Sequence, residues 1–342
     1  GTERRAKLAA LAEGKIQILV GTHAVFQKDV EFGDLRLAIV DEQHRFGVRQ
    51  RLELGRKGAQ ADTLVMTATP IPRSLALAQY GDMDVSVLDE KPPGRKPIKT
   101  LHFTDSKRLR VHGFMKKQIA EGRQIYIVYP LIKESEQLDY KDLMDGYESI
   151  SRAFPLPDYR ISIVHGKMKS TDKEYEMQRF VEGQTQIMVA TTVIEVGVNV
   201  PNASVMIIES AERFGLSQLH QLRGRVGRGA DQSYCILLSS IKLTKEAKTR
   251  LQTMVETNDG FKIAEVDLKL RGPGDLMGTQ QSGVLNLRIA DIVHDSKVLY
   301  LARKAAREVA GSEMGHLDPD HRNIWITYEQ IVRNGSIWMN IS

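Results

Sequence analysis

Two carboxylates followed by a glutamine and a histidine stand directly after a short aliphatic run, in Asp41-Glu42-Gln43-His44. Ligands of open α/β sheets bind at the carboxyl ends of the strands. An acidic pair at such a point suits nucleotide hydrolysis, in which Asp41 holds the Mg²⁺ on the phosphates through its water shell and Glu42 polarises the attacking water. Acidic residues also favour a helix N-terminus, so the pattern alone leaves a purely structural role open.

A second candidate for phosphate chemistry is the arginine-glycine run Arg223-Gly224-Arg225-Val226-Gly227-Arg228-Gly229. Arg225 and Arg228 are three residues apart, which predicts that both lie on one side of a helical turn. Paired guanidinium groups suit arginine fingers, which neutralise charge on a transferring phosphoryl group. Taken alone, the run fits an RNA-binding arginine-glycine segment or a solvated basic loop equally well.

Hydroxyl, imidazole and glycine residues follow several other apolar runs. Thr67-Ala68-Thr69-Pro70 has the composition of a turn, and it would place two hydroxyls at the same sheet edge as the acidic pair. Side chains that can bond to nucleic-acid phosphates end other runs, and these are Thr22, His23, His165, Thr191 and Thr192. Gly197 and Asn199 could face the nucleotide. Each signal is weak alone, because a histidine at a strand end is usually a satisfied polar group.

The order of these segments resembles the motif series of superfamily 2 helicases. That resemblance implies two RecA-like domains with ATP in the cleft between them, the first domain supplying Asp41 and Glu42 and the second Arg225 and Arg228. The remaining residues implied to contact ATP or couple it to DNA are Thr67, Thr69, Gly197, Asn199, Gln218 and Gln221. Asn199 departs from the motif, which usually has aspartate there, and this weakens the implied ribose contact.

Longer segments are similar to the RecG family of DNA helicases, at residues 41–48, 67–73, 80–86, 92–98, 129–132 and 212–221. Residues 271–276 and 278–283 resemble the translocation element that this family shares with the transcription-repair coupling factor. The proline-glycine segment at 92–98 and the Tyr-Pro-Leu-Ile segment favour RecG over the coupling factor. The resemblance implies an ATP-driven motor on duplex DNA that remodels stalled forks and Holliday junctions.

Within the translocation element, the resemblance gives Arg271, Gln280 and Gln281 the roles of lever or DNA-contact residues. Four glycines lie in or beside this segment and would let it change shape when nucleotide closes the domains. A loop that serves only the structure is the alternative.

Apolar runs separated by helical patterns predict an α/β fold with βαβ units. The expected architecture is two RecA-like parallel sheets, one truncated and one complete, followed by a helical and loop-containing region with the translocation element. The expected domains are 1–95, 96–242 and 243–342. The strands are predicted at 16–20, 37–40, 64–66, 98–103, 124–129, 161–164, 186–190, 205–208 and 234–238. Helices are predicted between them at 107–121, 173–182 and 216–222. Apolar stripes beyond Thr244 and Asp295 predict two packed helices.

No Gly-x-x-x-x-Gly-Lys-Ser/Thr segment occurs, because Gly14-Lys15 and Gly166-Lys167 are followed by isoleucine and methionine. The chain also starts with Gly1 inside a predicted helix. We therefore expect part of a longer protein, unable to hydrolyse ATP alone, with an open sheet edge that promotes self-association. The alternative of another class is a non-catalytic nucleic-acid-binding module that keeps the motif skeleton as a scaffold.

The composition limits which binding partners and which cellular compartment fit the chain. A formal net charge of +5 is compatible with a DNA partner but is a weak signal. No apolar stretch reaches the length of a membrane span, and the charged first residues lack an apolar signal core. The single cysteine, Cys235, cannot form an internal disulfide and lies in an apolar run, which favours a buried thiol. A cytoplasmic protein without a membrane partner fits these features.

Overall fold

The computed structural model describes residues 2–27, 29–42, 61–67, 84–88, 90, 93–130, 136–191, 200–229, 231–271, 295–311 and 318–333. The chain divides into two compact units, one formed by residues 1–70 with 314–342 and the other by residues 71–313. The three domains expected from the sequence remain a prediction. In the described part of the chain, no helix combines the length and apolarity needed to cross a membrane.

The first unit contains two short parallel strands, β1 (Leu37–Val40) and β2 (Asp62–Val65), paired with Val40 opposite Val65. Helix α1 (Thr2–Ala12) precedes them, and helix α9 (Arg322–Arg333) belongs to the same unit. Short 3-10 turns span His23–Phe26 and Pro319–His321. Ala38 and Val40 are buried, so one face of β1 packs inward. The parallel pairing confirms two of the three strands predicted in this region.

The prediction of a strand at residues 16–20 is wrong. These residues form no regular element, and Ile18 and Val20 are 82% and 89% exposed. A strand requires a hydrogen-bonded neighbour, and none of the described strands pairs with this segment. The aliphatic run alone could not show that a partner was missing.

The second unit is built on a six-stranded, wholly parallel sheet with the strand order β3-β8-β7-β4-β6-β5. The strands are β3 (Lys99–Thr104), β4 (Gln124–Tyr129), β5 (Ile161–Val164), β6 (Ile187–Thr191), β7 (Ala203–Ile208) and β8 (Tyr234–Ser239). Every residue of β6 and β7 is buried, as expected for strands covered on both faces. The predicted complete sheet is confirmed.

Helices cover both faces of this sheet. They are α2 (Arg108–Ala120), α3 (Glu136–Ala153), α4 (Ser170–Val181), α5 (Leu216–Arg223), α6 (Lys245–Glu256) and α7 (Gly260–Arg271). The same unit also contains helix α8 (Ser296–Gly311). Helices α2 and α3 contribute Met115 and Ile150 to the core on one face. Helices α4 to α7 build the core on the other face, where Leu219, Met254 and Ile263 meet. The α/β architecture is therefore confirmed.

The two apolar stripes predicted beyond Thr244 and beyond Asp295 differ in burial. In α6, Leu251 and Met254 are buried, and the Thr244 hydroxyl accepts a hydrogen bond from the Ala247 amide at the start of the helix. In α8, by contrast, Val298 and Leu301 are 58% and 63% exposed, so this stripe does not pack within the described residues. Only the first of the two predicted packing surfaces is confirmed.

Cys235 lies fully buried in β8, in agreement with its apolar sequence context. Burial raises the pKa of its thiol to about 12, so the group stays protonated at neutral pH.

Helix α3 packs against the end of β4 through a residue without a side chain. The phenol of Tyr129 occupies the space where a Cβ on Gly146 would lie. At Gly113, in the middle of α2, no atom beyond the adjoining residues and the helix's own backbone lies within 4 Å of the corresponding position. The two helix-interior glycines therefore differ in function, since only Gly146 makes room for a neighbour.

We predict that Gly146→Ala destabilises the chain by about 1–3 kcal/mol, because the added methyl group overlaps the Tyr129 ring. Gly113→Ala is the matched control and should stabilise the chain by about 0.5–1 kcal/mol through helix propensity. Chemical unfolding of both variants measures the two free energies. Equal effects of the two substitutions would contradict the contact.

We also predict self-association through the first unit. Leu37 and Ile39 are 55% and 58% exposed on the outer face of the two-stranded sheet. An exposed apolar face on a sheet with two described strands favours pairing between copies. Light scattering after size exclusion should show oligomers that Ile39→Lys reduces, whereas Leu109→Lys, at an exposed position in α2, should leave them unchanged. A strictly monomeric chain at all concentrations would refute this prediction.

Candidate nucleotide and DNA site

Asp41 and Glu42 follow β1 directly, at the carboxyl edge of the two-stranded sheet. Asp41 is exposed, and its Oδ1 accepts a hydrogen bond of 2.9 Å from the Glu42 amide. Glu42 has a φ of 52°, in the left-handed region that costs a residue with a side chain about 1–3 kcal/mol. The carboxylate pair therefore lies at the strand end, as the sequence predicted, and the positive φ adds a sharp turn that the sequence did not predict. Gln43 and His44 lie outside the described residues.

Thr67 lies at the same edge, because Met66 continues the pairing of the strands by donating to the Val40 carbonyl at 2.8 Å. Thr67 is exposed like Asp41. Thr69 lies outside the described residues. Thr22 precedes the 3-10 turn that begins at His23, and it makes no capping bond through its side chain. The DNA contacts predicted for Thr22 and His23 remain predictions.

The arginine-glycine run differs from its predicted helical geometry. Helix α5 ends at Arg223, so Arg225 and Arg228 lie in the irregular turn that follows and not on one side of a helix. Gly227 has a φ of 79°, which breaks the helical path between the two arginines. We call residues 224–229 the arginine turn.

The arginine turn is packed from two sides. A Cβ on Gly227 would come within 2.9 Å of Ile98 Cγ1, and one on Gly229 within 3.0 Å of the Pro201 carbonyl oxygen. Arg225 and Arg228 are half-buried. Burial raises the pKa of Tyr126, in β4, to about 12, and the positive charges of Arg228 and Arg225 oppose that rise. Both guanidinium groups therefore lie close enough to Tyr126 for their charges to act on its phenol.

Two glutamines of α5 were predicted to couple nucleotide and DNA. Gln218 accepts a hydrogen bond from the Gly215 amide at 3.2 Å through Oε1 and so closes the start of the helix. Gln221 is half-buried in the last turn. Their functional roles stay predictions, although the structure gives Gln218 a local structural role as well.

Arg223, the first arginine of the run, has a role that the sequence did not reveal. It is 2% exposed, and its Nη1 donates to the carbonyls of Met254 at 2.9 Å and Thr257 at 2.8 Å. Its Nη2 lies 3.2 Å from Nδ1 of His220. Burial and the Arg223 charge lower the pKa of His220 to about 4, so the imidazole is neutral at physiological pH. Nothing in the run distinguishes a buried arginine from a phosphate-binding one.

The ends of β5 and β6 carry two of the predicted DNA-contact residues. His165 is half-buried, and burial and then the charges of Lys173 and Lys167 lower the pKa of its imidazole. Thr191 is 2% exposed, and its hydroxyl has no hydrogen-bond partner among the described residues. The structure thus places both at the predicted strand ends. Thr192, Gly197 and Asn199 lie outside the described residues.

An ion pair fixes the carboxyl end of β7. Glu209 is 4% exposed, and Arg108 donates to both of its carboxylate oxygens, at 2.6 and 2.8 Å. A third hydrogen bond, of 2.9 Å, joins Arg108 to Asp105. The pair ties the start of α2 to β7 with the two-pronged geometry in which arginine binds carboxylates best. Sequence reasoning missed Glu209, although a carboxylate directly after a buried strand could have signalled it.

The remaining predicted residues lie at the end of α7. Arg271 is its last residue, and Gln280 and Gln281 lie outside the described residues. Within the described residues, no group of three or more His, Cys, Asp or Glu side chains is placed to hold a metal ion.

Comparison with known proteins gives matches along the whole chain. Residues 1–77 match a model described as DEAD/DEAH box helicase, and residues 106–230 match the helicase conserved C-terminal domain. Residues 257–342 match a model described as ATP-dependent DNA helicase RecG, domain 3, C-terminal. Each match falls on a part of the chain that carries predicted site residues.

The curated relatives include ATP-dependent DNA helicase RecG of Bacillus subtilis (strain 168), which is 48% identical over 335 residues, 98% of this chain and 48% of that protein. RecG of Synechocystis is 52% identical over 304 residues, 89% of this chain and 36% of that protein. The chain thus spans half or less of the length of these relatives.

A solved structure of RecG bound to a three-way DNA junction aligns with a TM-score of 0.65 and 44% identity, over 87% of this chain and 38% of that one. The fold of that structure, the sequence identity of the curated relatives and the RecG-specific family model thus all indicate the same family. This chain belongs to the RecG family of DNA helicases.

Proposed function

We propose that this chain is part of an ATP-dependent translocase on double-stranded DNA that remodels branched DNA, such as stalled forks and Holliday junctions. The observation that carries the proposal is the carboxylate pair at the end of β1 in a chain that also contains the arginine turn. A scaffold that only binds nucleic acid has no need for Asp41, Glu42, Arg225 and Arg228 together. Membership in the RecG family supports the same assignment.

The residues of the first unit fit a Mg²⁺-nucleotide. Asp41 presents an exposed carboxylate at the strand end, which suits a ligand that holds the ion through water. When bound, Mg²⁺ neutralises charge on the phosphates. Glu42 would orient the attacking water, and Arg225 and Arg228 would neutralise charge developing on the transferred phosphoryl group.

The DNA-contacting residues lie in both units in this proposal. Thr22 and His165 would donate hydrogen bonds to backbone phosphates, and Arg271 would act in the translocation element. The net charge of +5 favours a polyanionic partner. The RecG structure described as bound to a three-way junction supports branched DNA as the substrate class.

We predict that this chain alone shows no ATP hydrolysis, with or without forked DNA. Its sequence lacks the glycine-rich loop, lysine and hydroxyl that cradle the phosphates. A coupled assay for released phosphate measures turnover. DNA-stimulated turnover that survives repurification would mean that other residues of this chain hold the phosphates.

A full-length protein, made by joining the upstream half of the Bacillus subtilis relative to this chain, tests the catalytic residues. Glu42→Gln should lower fork-stimulated hydrolysis by a factor on the order of 10² or more, since a neutral amide cannot polarise water equally well. Arg228→Ala should lower it by about 10³ or more, as expected for an arginine finger.

Arg152→Ala is the control in this protein, because Arg152 is exposed in α3, and it should leave hydrolysis unchanged. Retained hydrolysis in Glu42→Gln and Arg228→Ala would reject the catalytic assignment and favour the non-catalytic binding module.

A further inference from the structure

The proposed function uses Arg225 and Arg228 but leaves Arg223 without a role. With 2% exposure, the Arg223 guanidinium cannot reach a phosphate without unfolding its surroundings. It nevertheless lies one residue before the arginine turn, at the last position of α5. Any role in the ATP cycle must therefore pass through the groups to which it bonds.

Those groups belong to three other places in the second unit. Nη1 donates to the carbonyls of Met254 and Thr257, at the end of α6, and lies 3.4 Å from the Thr100 hydroxyl in β3. Nη2 faces Nδ1 of His220, one turn back in α5. A guanidinium group can only donate, so His220 accepts through Nδ1 and carries its proton on Nε2.

The Met254 carbonyl, in the last turn of α6, and the Thr257 carbonyl, directly after it, are suitable acceptors. The last carbonyls of a helix have no partner within the helix and lie at the negative end of its dipole. Arg223 thus caps α6 with a side chain from α5. The described contacts of Arg223 include no carboxylate, and burial lowers its pKa, so its charge is held by neutral acceptors. Such a cation tolerates little displacement from its acceptors, because each lost bond leaves a buried donor unsatisfied.

Helices α5, α6 and α7 are also packed together. Leu219, Met254 and Ile263 share one core, and the Ser217 hydroxyl lies 2.9 Å from Oδ2 of the buried Asp267. Helix α7 leads directly to Arg271 and the translocation element. The Arg223 contacts lie at one end of this block, beside the arginine turn.

We propose that Arg223, with His220 as its acceptor, is a positioning residue that makes the arginine turn and the α6–α7 helix pair move together. Displacement of the turn during ATP hydrolysis would pull the end of α6, and α7 would pass this motion to the translocation element. This inference rests on the proposed function. It adds the residues through which hydrolysis is converted into DNA movement.

The test compares two nearly isosteric variants in the full-length protein described above. His220→Asn keeps an acceptor near the position of Nδ1, whereas His220→Leu removes it. Arg223→Lys keeps the charge but cannot reach both carbonyls and His220 at once. The readouts are fork-stimulated ATP hydrolysis and the number of forks remodelled per ATP hydrolysed. Thermal unfolding and fork binding without ATP verify that each variant is folded.

We expect His220→Leu and Arg223→Lys to remodel at least about tenfold fewer forks per ATP. Hydrolysis should fall much less, because the contacts of Gly227 with Ile98 and Gly229 with Pro201 still hold the arginine turn. His220→Asn should keep the ratio within about twofold of the unmodified protein.

Equal ratios in His220→Asn and His220→Leu, or a parallel loss of hydrolysis and remodelling, would overturn the inference. Failure of the proposed function has a different signature, since fork-stimulated hydrolysis would then persist in Arg228→Ala.

Discussion

The parallel direction of all six strands in the second unit determines where its chemistry can lie. Parallel strands end at one edge of a sheet, so the residues that follow β4 to β8 meet along a single line. His165, Thr191 and Glu209 reach that edge from three different parts of the sequence. The same constraint places Asp41 and Thr67 at one edge of the sheet in the first unit. Without parallel pairing, these residues would have no common surface.

The sequence predicted the sheet well because burial leaves a strong signal. The strands from β4 to β8 are aliphatic runs covered on both faces, and the predicted bounds agree within two residues. Helix α3 was missed because its apolar residues are sparse and Gly146 interrupts the helical propensity. A glycine is needed at this position because the Tyr129 ring packs against it, and that contact joins residues that are distant in sequence. Local patterns cannot show such contacts.

The candidate site was predictable in its residue types but not in its geometry. The spacing of Arg225 and Arg228 suggested a helix, and the left-handed Gly227 produces a turn. Arg223 and Glu209 show why charged residues are hard to interpret from sequence, since both are buried and satisfied by partners far along the chain. Charged residues are usually exposed, so a buried charged residue can be identified only when the structure shows the groups that bond to it.

The way in which Arg223 holds α6 has a consequence for how this region can vary between relatives. Its acceptors on α6 are main-chain oxygens, so the side chains at Met254 and Thr257 can change without removing the contact. The length of the helix cannot change as freely. One inserted or deleted residue turns the terminal carbonyls by about 100° around the helix axis and aims them away from the guanidinium. The α6 segment should therefore drift in composition among relatives while keeping a fixed number of residues.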